Sequence, residues 1–456
     1  MIIVRLSLSL LILSFTSLFL FSNIEQLGEG SGYLYLGVIF TLGALLLVTS
    51  GRWYVLTRLK MSHIWLLLFL VYFIVNLLFD TNDLGPVKAA TVGTTGGVIF
   101  ALVLGFILSF VFSEIYIAMK KLRLLGYVTF LIVLYLGWNV NLATQAYQVH
   151  LSELRNDLFL IANQEGSYQR PGNFMFVQSM ISSALVVLLY VFREAISKLI
   201  FAIALVLHAA TASIYMLLAQ LIGSNSGLAT VAGFFVMMLT FFYVARLPML
   251  KQGLLSIGIK ALALGWIGRR ITIGLCISAS FLVIGWFYLL TYTEIDLATL
   301  RITGYGSGEV SSVNSRAEIF ENNFIEQFSY NPILGNTQVD TLTTGAGTYA
   351  HSLLSILTHL GLVGFVIFMC FIFQVYREIT QYNHAVDSLH TDRVYALFRL
   401  FALGIVLFFS LLTAFYTWLP LWFAIGFFGI GMSRENHPHS VLDLPLKNRL
   451  ARVTRN

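Results

Sequence analysis

Long apolar runs, each close to the length of a membrane-crossing helix, follow one another along almost the whole of this 456-residue chain. They fall near 4–22, 33–49, 62–79, 93–113, 124–143, 174–192, 199–222, 228–245, 271–292, 352–376, 396–414 and 417–432. A bilayer core needs about 20 residues of helix to cross it. Inside lipid a backbone must satisfy its own polar groups, so each run is held to helix. A membrane barrel is excluded, because its strands would alternate apolar and polar residues in short segments. Composition agrees: only 11% of residues are charged, against about 25% in soluble domains. The expected fold is an all-α polytopic membrane protein of about 12 transmembrane helices. The first run resembles a signal peptide, but its end, FTSLFLFSN, lacks an A-x-A site and it reads as the first span.

Orientation follows from lysine and arginine. A cytoplasmic N-terminus places Arg52, Arg58, Lys60, Lys120, Lys121, Arg123, Arg269, Arg270 and the basic tail (Lys447, Arg449, Arg452, Arg455) inside. Lys88, Arg155, Arg170, Arg301 and Arg316 remain outside, together with most of the carboxylates. The expectation is a multi-pass protein of the bacterial inner membrane with both termini cytoplasmic. The net charge of +6 then records insertion direction and contact with anionic lipid, not nucleic acid. Cys276 and Cys370 both lie in spans and read as packing residues, with no metal spacing and no disulfide framework. No Walker A or dinucleotide fingerprint is present, which argues against an ATP-driven pump.

Two outward loops are long enough to hold structure. The chain divides into 1–292, nine spans with a periplasmic loop at 144–173; 293–350, a large periplasmic loop expected to be catalytic; 351–436, three spans; and 437–456, a basic cytoplasmic tail. Within the large loop, 315–329 has helical spacing, with Ile319, Phe320, Phe324, Ile325 and Phe328 on one face. Ser315 and Glu318 suit a capping box, and Asn331-Pro332 stops the helix. Such a helix lies flat on the membrane, apolar face down, with Arg316 in its first turn at headgroup depth. Gly335, Gly345 and Gly347 make the return to His351 and Ser352 at the next span.

A loop bounded by Arg316 and His351 has the two groups that sugar transfer from a lipid diphosphate requires. Arginine stays charged and grips phosphate oxygens in a bidentate fork. Histidine, with an ordinary pKa of about 6.5, takes the proton of an acceptor hydroxyl. Arginine's charge removes the need for a divalent metal, so no metal or cofactor is expected. The blander accounts are a headgroup anchor for Arg316 and a simple helix start for His351.

The order Ser-Arg, amphipathic helix, Asn331-Pro-x-x-Gly335, glycine-rich loop, His351-Ser352, Gly361-x-x-Gly364 resembles the O-antigen polymerase and O-antigen ligase superfamily of bacterial envelope glycosyltransferases. The small-residue turn Ile222-Gly-Ser-Asn-Ser-Gly-Leu228 resembles the turn of that family at the same place. The resemblance covers roughly 220–370, and the rest only by hydropathy. It implies a GT-C-like membrane fold, an undecaprenyl-diphosphate-linked oligosaccharide substrate, inversion at the sugar carbon and a chain-length-regulating partner. His351 and Arg316 are the candidate catalytic residues; Arg155, Arg170, Arg301, Asn225 and Ser352 are candidates for substrate binding. Asn225 stands where many relatives carry arginine, and the spacing from His351 to Gly361 is one residue short of theirs. Both departures favour a polymerase over a ligase.

Other features read more plainly. His208 and His359 fall inside expected spans and are taken as satisfied packing histidines, although an intramembrane histidine is costly. Asp80-x-x-Asp83 is a solvated loop pair rather than a metal motif, with no histidine or further acid beside it. The R-x10-G spacing from Arg155 to Gly166 arises easily by chance. Tyr305, Tyr330, Tyr349 and Trp138 are aromatic candidates for stacking on sugar rings. A lipid-linked oligosaccharide flippase or transporter, and a membrane scaffold, are the alternatives from other classes.

Overall fold

The computed structural model describes residues 2–25, 33–51, 60–79, 85–154, 169–222, 224–244, 312–345, 352–385, 390–413 and 416–430, some of them, Arg170, Asn225 and Arg316 included, by backbone alone. Every regular element among them is helical. In order these are α1 (Ile2–Glu25), α2 (Tyr33–Ser50), α3 (Met61–Phe79), α4 (Gly85–Met119), α5 (Leu122–Leu154), α6 (Gln169–Val191), α7 (Lys198–Leu221) and α8 (Asn225–Val244). After them come α9 (Ser312–Tyr330), α10 (Val339–Thr343), α11 (Ser355–His359), α12 (Gly361–Ala385), α13 (His390–Thr413) and α14 (Leu419–Ala424), which runs into a π turn at Ile425–Ile430.

Among the described residues, 8 helices are long and apolar enough to cross a membrane. Shorter apolar helices at Leu34–Ser50, Gly227–Phe242 and Leu419–Gly429 coincide with three further expected spans. The expected span at 271–292 lies outside the described residues. The chain is therefore an all-helical protein of the multi-pass membrane type. Without a water-driven force between helices in lipid, close packing must hold such a bundle together. Gly105 of α4 and Gly426 of the π turn supply it. A Cβ on Gly105 would overlap the Phe423 carbonyl, and one on Gly426 the Leu102 carbonyl, so the two backbones touch. Nearby, Trp422 stacks on Phe69 at 5.5 Å and meets Phe368 edge-on at 6.2 Å.

Contacts sort the helix termini into two ends of the bundle. At one end Arg5, near the start of α1, donates to the Thr49 carbonyl at the end of α2 (3.1 Å) and pairs with Glu114 of α4 (3.9 Å). There too the Glu378 carboxylate of α12 accepts from the amide and hydroxyl of Ser62, at 3.0 and 2.6 Å, and satisfies the start of α3. Tyr116 at the end of α4 packs on Phe192 and Tyr395 and under Lys120. The opposite end gathers the last turns of α3, the first of α6, α8 and α12, and the last of α13. Successive helices thus run in opposite directions, as a chain threading back and forth through a membrane requires.

Four expectations are corrected. The run 352–376 is not one helix: α11 ends at His359 and α12 starts at Gly361, whose φ of 63° is left-handed. The loop 144–173 is narrower, because α5 continues to Leu154 and α6 begins at Gln169. The amphipathic helix starts at Ser312, so Ser315 is an interior residue rather than a cap and Arg316 falls in the second turn. Its buried stripe also differs from the one expected: Gln327 is buried, Phe324 and Phe328 are half-buried with rings 6.2 Å apart, and Ile325 is 74% exposed.

Candidate functional site at one end of the bundle

The polar stretch from 312 to 345 folds back onto the end of the bundle where α12 begins. Its anchor is the turn after α9. Asn331 accepts from the Leu334 amide (3.3 Å) and donates to the Gly335 carbonyl (2.9 Å), closing the turn that Pro332 begins. Gly335, at φ 75°, then lies against Gly361 so closely that a Cβ on either would overlap the other strand of backbone. Only glycine fits both demands. The free amides at the start of α12 find partners here: Leu362 donates to Pro332 (2.9 Å) and Val363 to Ile333 (3.1 Å). Two side chains of α3, one helical turn apart, finish the joint. Tyr72 donates between the Leu334 and Leu360 carbonyls (2.8 and 3.1 Å), and Asn76 donates to Leu334 (2.6 Å). The motifs Asn331-Pro-x-x-Gly335 and Gly361-x-x-Gly364 are therefore halves of one joint.

The segment leading into α11 is tied to α13. Leu353 donates to the Ser410 carbonyl (2.9 Å) and the Ser352 hydroxyl to that of Leu411 (2.7 Å), so the orphan carbonyls near the end of α13 are used. Ser352, a candidate for substrate binding, has its proton committed to this contact. His351, directly before it, lies outside the described residues, as do Arg155, Arg301, Tyr305 and Tyr349. Arg316 is placed by its backbone on α9, Arg170 at the second residue of α6 and Asn225 at the first of α8.

Beneath α9 sits a cluster of buried polar groups that the sequence did not single out: Gln327, Thr337, Gln338, Asp340 and Thr358, with His359. Gln327 donates to Thr344 (2.7 Å), and the Asn336 amide donates to the Thr358 carbonyl (3.3 Å), joining the 336–340 turn to α11. His359 precedes the membrane-length segment Gly361–Ile379 instead of lying inside it. Its Nδ1 is 3.1 Å from the Ser355 carbonyl and 2.9 Å from the Thr358 hydroxyl. A carbonyl only accepts, so the proton is assigned to Nδ1 and Nε2 is the titrating atom. Burial pushes His359 below the ordinary histidine value, and the charge of Asp340 opposes that shift. Its ring lies 5.7 Å from that of Tyr416. His208, by contrast, is a packing residue whose Nε2 meets the Ser183 hydroxyl at 3.0 Å in the bundle core.

The second stretch carrying the family resemblance sits at the same end. Ser224 caps α8, accepting from the Gly227 amide at 3.0 Å, and a Cβ on Gly172 would crowd its hydroxyl. Small residues in this turn thus serve close packing on α6. Next to Gly172, Asn173 accepts from the Trp418 indole at 2.6 Å, and Trp418 lies two residues from Tyr416. The 222–228 turn is linked in this way to the His359 cluster. A crevice beside Asn173, lined by Phe19, Phe100, Leu104, Leu419 and Phe423, has a volume of about 10 Å³. That is room for about one water, too little for a substrate. No group of three or more histidine, cysteine or acidic side chains suits a metal ion among the described residues. Comparisons of the chain with protein-family models, with curated proteins and with solved structures return no match.

Proposed function

We propose that this chain is a glycosyltransferase that joins undecaprenyl-diphosphate-linked oligosaccharide repeats at the periplasmic face of the bacterial inner membrane, an O-antigen polymerase. The observation that carries this reading is the joint between Gly335 and Gly361, held by Tyr72 and Asn76. Two motif pieces distant in sequence meet there, at one end of a bundle of membrane-length helices. A joint of this kind holds the loop bounded by Arg316 and His351 against the membrane domain, where a lipid-linked substrate presents its diphosphate.

In the reaction, an acceptor sugar hydroxyl attacks the anomeric carbon of the donor repeat from the face opposite the diphosphate. The carbon–oxygen bond to the diphosphate breaks, and undecaprenyl diphosphate leaves with the electron pair. His351 takes the hydroxyl proton. Arg316 pairs with the departing diphosphate, whose charge rises as the bond breaks. Arg155, Arg170, Arg301 and Asn225 hold the remaining phosphate and glycan groups, and Ser352 fixes the backbone beside His351 through Leu411. No metal takes part. Anionic lipids and a chain-length regulator are the other partners.

Deletion in the native host tests the proposal on one silver-stained lipopolysaccharide gel. Loss of a polymerase leaves core capped with single repeats. Bare core with long polymer stranded on undecaprenyl diphosphate would make the chain a ligase instead. An unchanged ladder would remove both.

A further inference from the structure

Gln338 is 1% exposed, and neither its amide oxygen nor its amide nitrogen has a hydrogen-bond partner among the described residues. A buried primary amide left unpaired loses its hydration with nothing in return, and an apolar side chain of the same size would avoid that cost. Its backbone is well fixed: the Gln338 amide donates to the Asn336 side chain (2.8 Å), and the Asn336 amide holds the Thr358 carbonyl. Two residues on, Asp340 is buried as well, with its charge felt by His359. The unpaired amide therefore belongs to a turn tied by its backbone to the His359 helix, in the same cluster of buried polar residues as Thr337, Asp340 and Thr358.

We propose that Gln338 is a glycan-binding residue, its amide pairing with two neighbouring hydroxyls of a sugar ring in the lipid-linked substrate. A primary amide presents a donor and an acceptor side by side, and a vicinal diol presents the complement. Bare phosphate and polyprenyl chain lack that pattern, because phosphate oxygens only accept and the chain does neither. The assignment rests on the glycosyltransferase reading above and names the part of the substrate this corner of the site recognises. The bound sugar would supply the hydrogen bonds that the protein leaves unmade.

The test uses the full chain in lipid nanodiscs and two probes: lipid-linked repeat extracted from the native host, and bare undecaprenyl diphosphate. Gln338→Met keeps length and removes both polar atoms; Gln338→Leu serves if the methionine variant does not assemble. The expected result is unchanged or raised thermal stability, binding of the lipid-linked repeat weakened about 5- to 10-fold, and unchanged binding of the bare lipid. Lowered stability with both affinities intact would overturn the proposal and make the amide a structural group paired to water. Equal weakening of both probes would overturn it too, by placing the residue on the lipid diphosphate. Wild-type protein that binds neither probe would instead bring down the glycosyltransferase reading itself.

Discussion

Replacing His351 by alanine is expected to abolish polymer formation, a loss of at least about 100-fold, while the protein still inserts, because a general base contributes about 100- to 10,000-fold. Arg316→Lys is expected to be severely impaired, since a point charge replaces a bidentate fork. Activity should survive EDTA. Polymer yield at matched protein levels reads all three, and near-normal product from either variant would remove that residue from the mechanism. His359 makes a different prediction, on stability. Burial holds its folded pKa below the unfolded value of about 6.5, with Asp340 acting against that shift. Neutral His359 therefore contributes stability that is fully present above about pH 6.5 and is lost as pH falls through the folded value. Thermal midpoints at pH 7.5 and 5.5 should drop more for the wild type than for His359→Gln. Asp340→Asn, which removes the opposing charge, should enlarge the drop. Equal slopes in all three proteins would show that His359 takes up its proton as readily in the folded chain as in the unfolded one, so that burial does not hold it neutral. The sequence alone places His359 among ordinary packing residues because it sits in an unbroken apolar run. The neighbour that changes that view, Asp340, comes close only when the loop folds back.

At the scale of elements, the joint between the loop and α12 is the most sensitive point. Gly335 and Gly361 both have left-handed φ, and neither leaves space for a Cβ. Alanine at either position adds backbone strain of about 1–2 kcal/mol to a direct overlap of main chains. Each variant is expected to detach the loop, seen as protease cleavage within 325–345 while the membrane helices stay intact. Gly37→Ala, in α2 with nothing within 4 Å, is the control and should resist cleavage like the wild type. Cleavage indistinguishable among the three would mean that the joint does not hold the loop. The two motifs that form this joint are visible in the sequence, as is a helix at 315–329, short of the true start at Ser312. Their contact is not, because hydropathy records only that 352–376 is apolar. It carries no trace of the left-handed turn at Gly361 or of Tyr72 and Asn76 reaching across from α3. The face of α9 is misjudged for a related reason. An apolar stripe alone does not say that Gln327 would be buried by α10 and its hydrogen bond to Thr344 while Ile325 faces outward.

For the whole molecule, the all-helical, multi-pass class is the most legible feature, since lipid leaves a backbone few alternatives. The alternating direction of the described membrane-length helices is legible too. Arg5 meets the ends of α2 and α4 at one end of the bundle, and Tyr72 and Asn76 meet the start of α12 at the other. Which end faces the cytoplasm rests on charge alone: Arg5, Lys120 and Arg193 gather at the first end, and cytoplasmic loops of membrane proteins are rich in such residues. The orientation can be measured directly. Cys276 and Cys370 are first replaced by alanine, so that no native thiol reports. Single cysteines are then introduced as Ser329→Cys, at an exposed position late in α9, and Ser440→Cys, in the basic tail. A membrane-impermeant thiol reagent added to intact spheroplasts should label position 329 and not 440, and both should react after lysis. Labelling of 440 alone would invert the molecule and put the loop in the cytoplasm. No lipid-linked repeat awaits polymerisation there, so that single result would also end the proposed function.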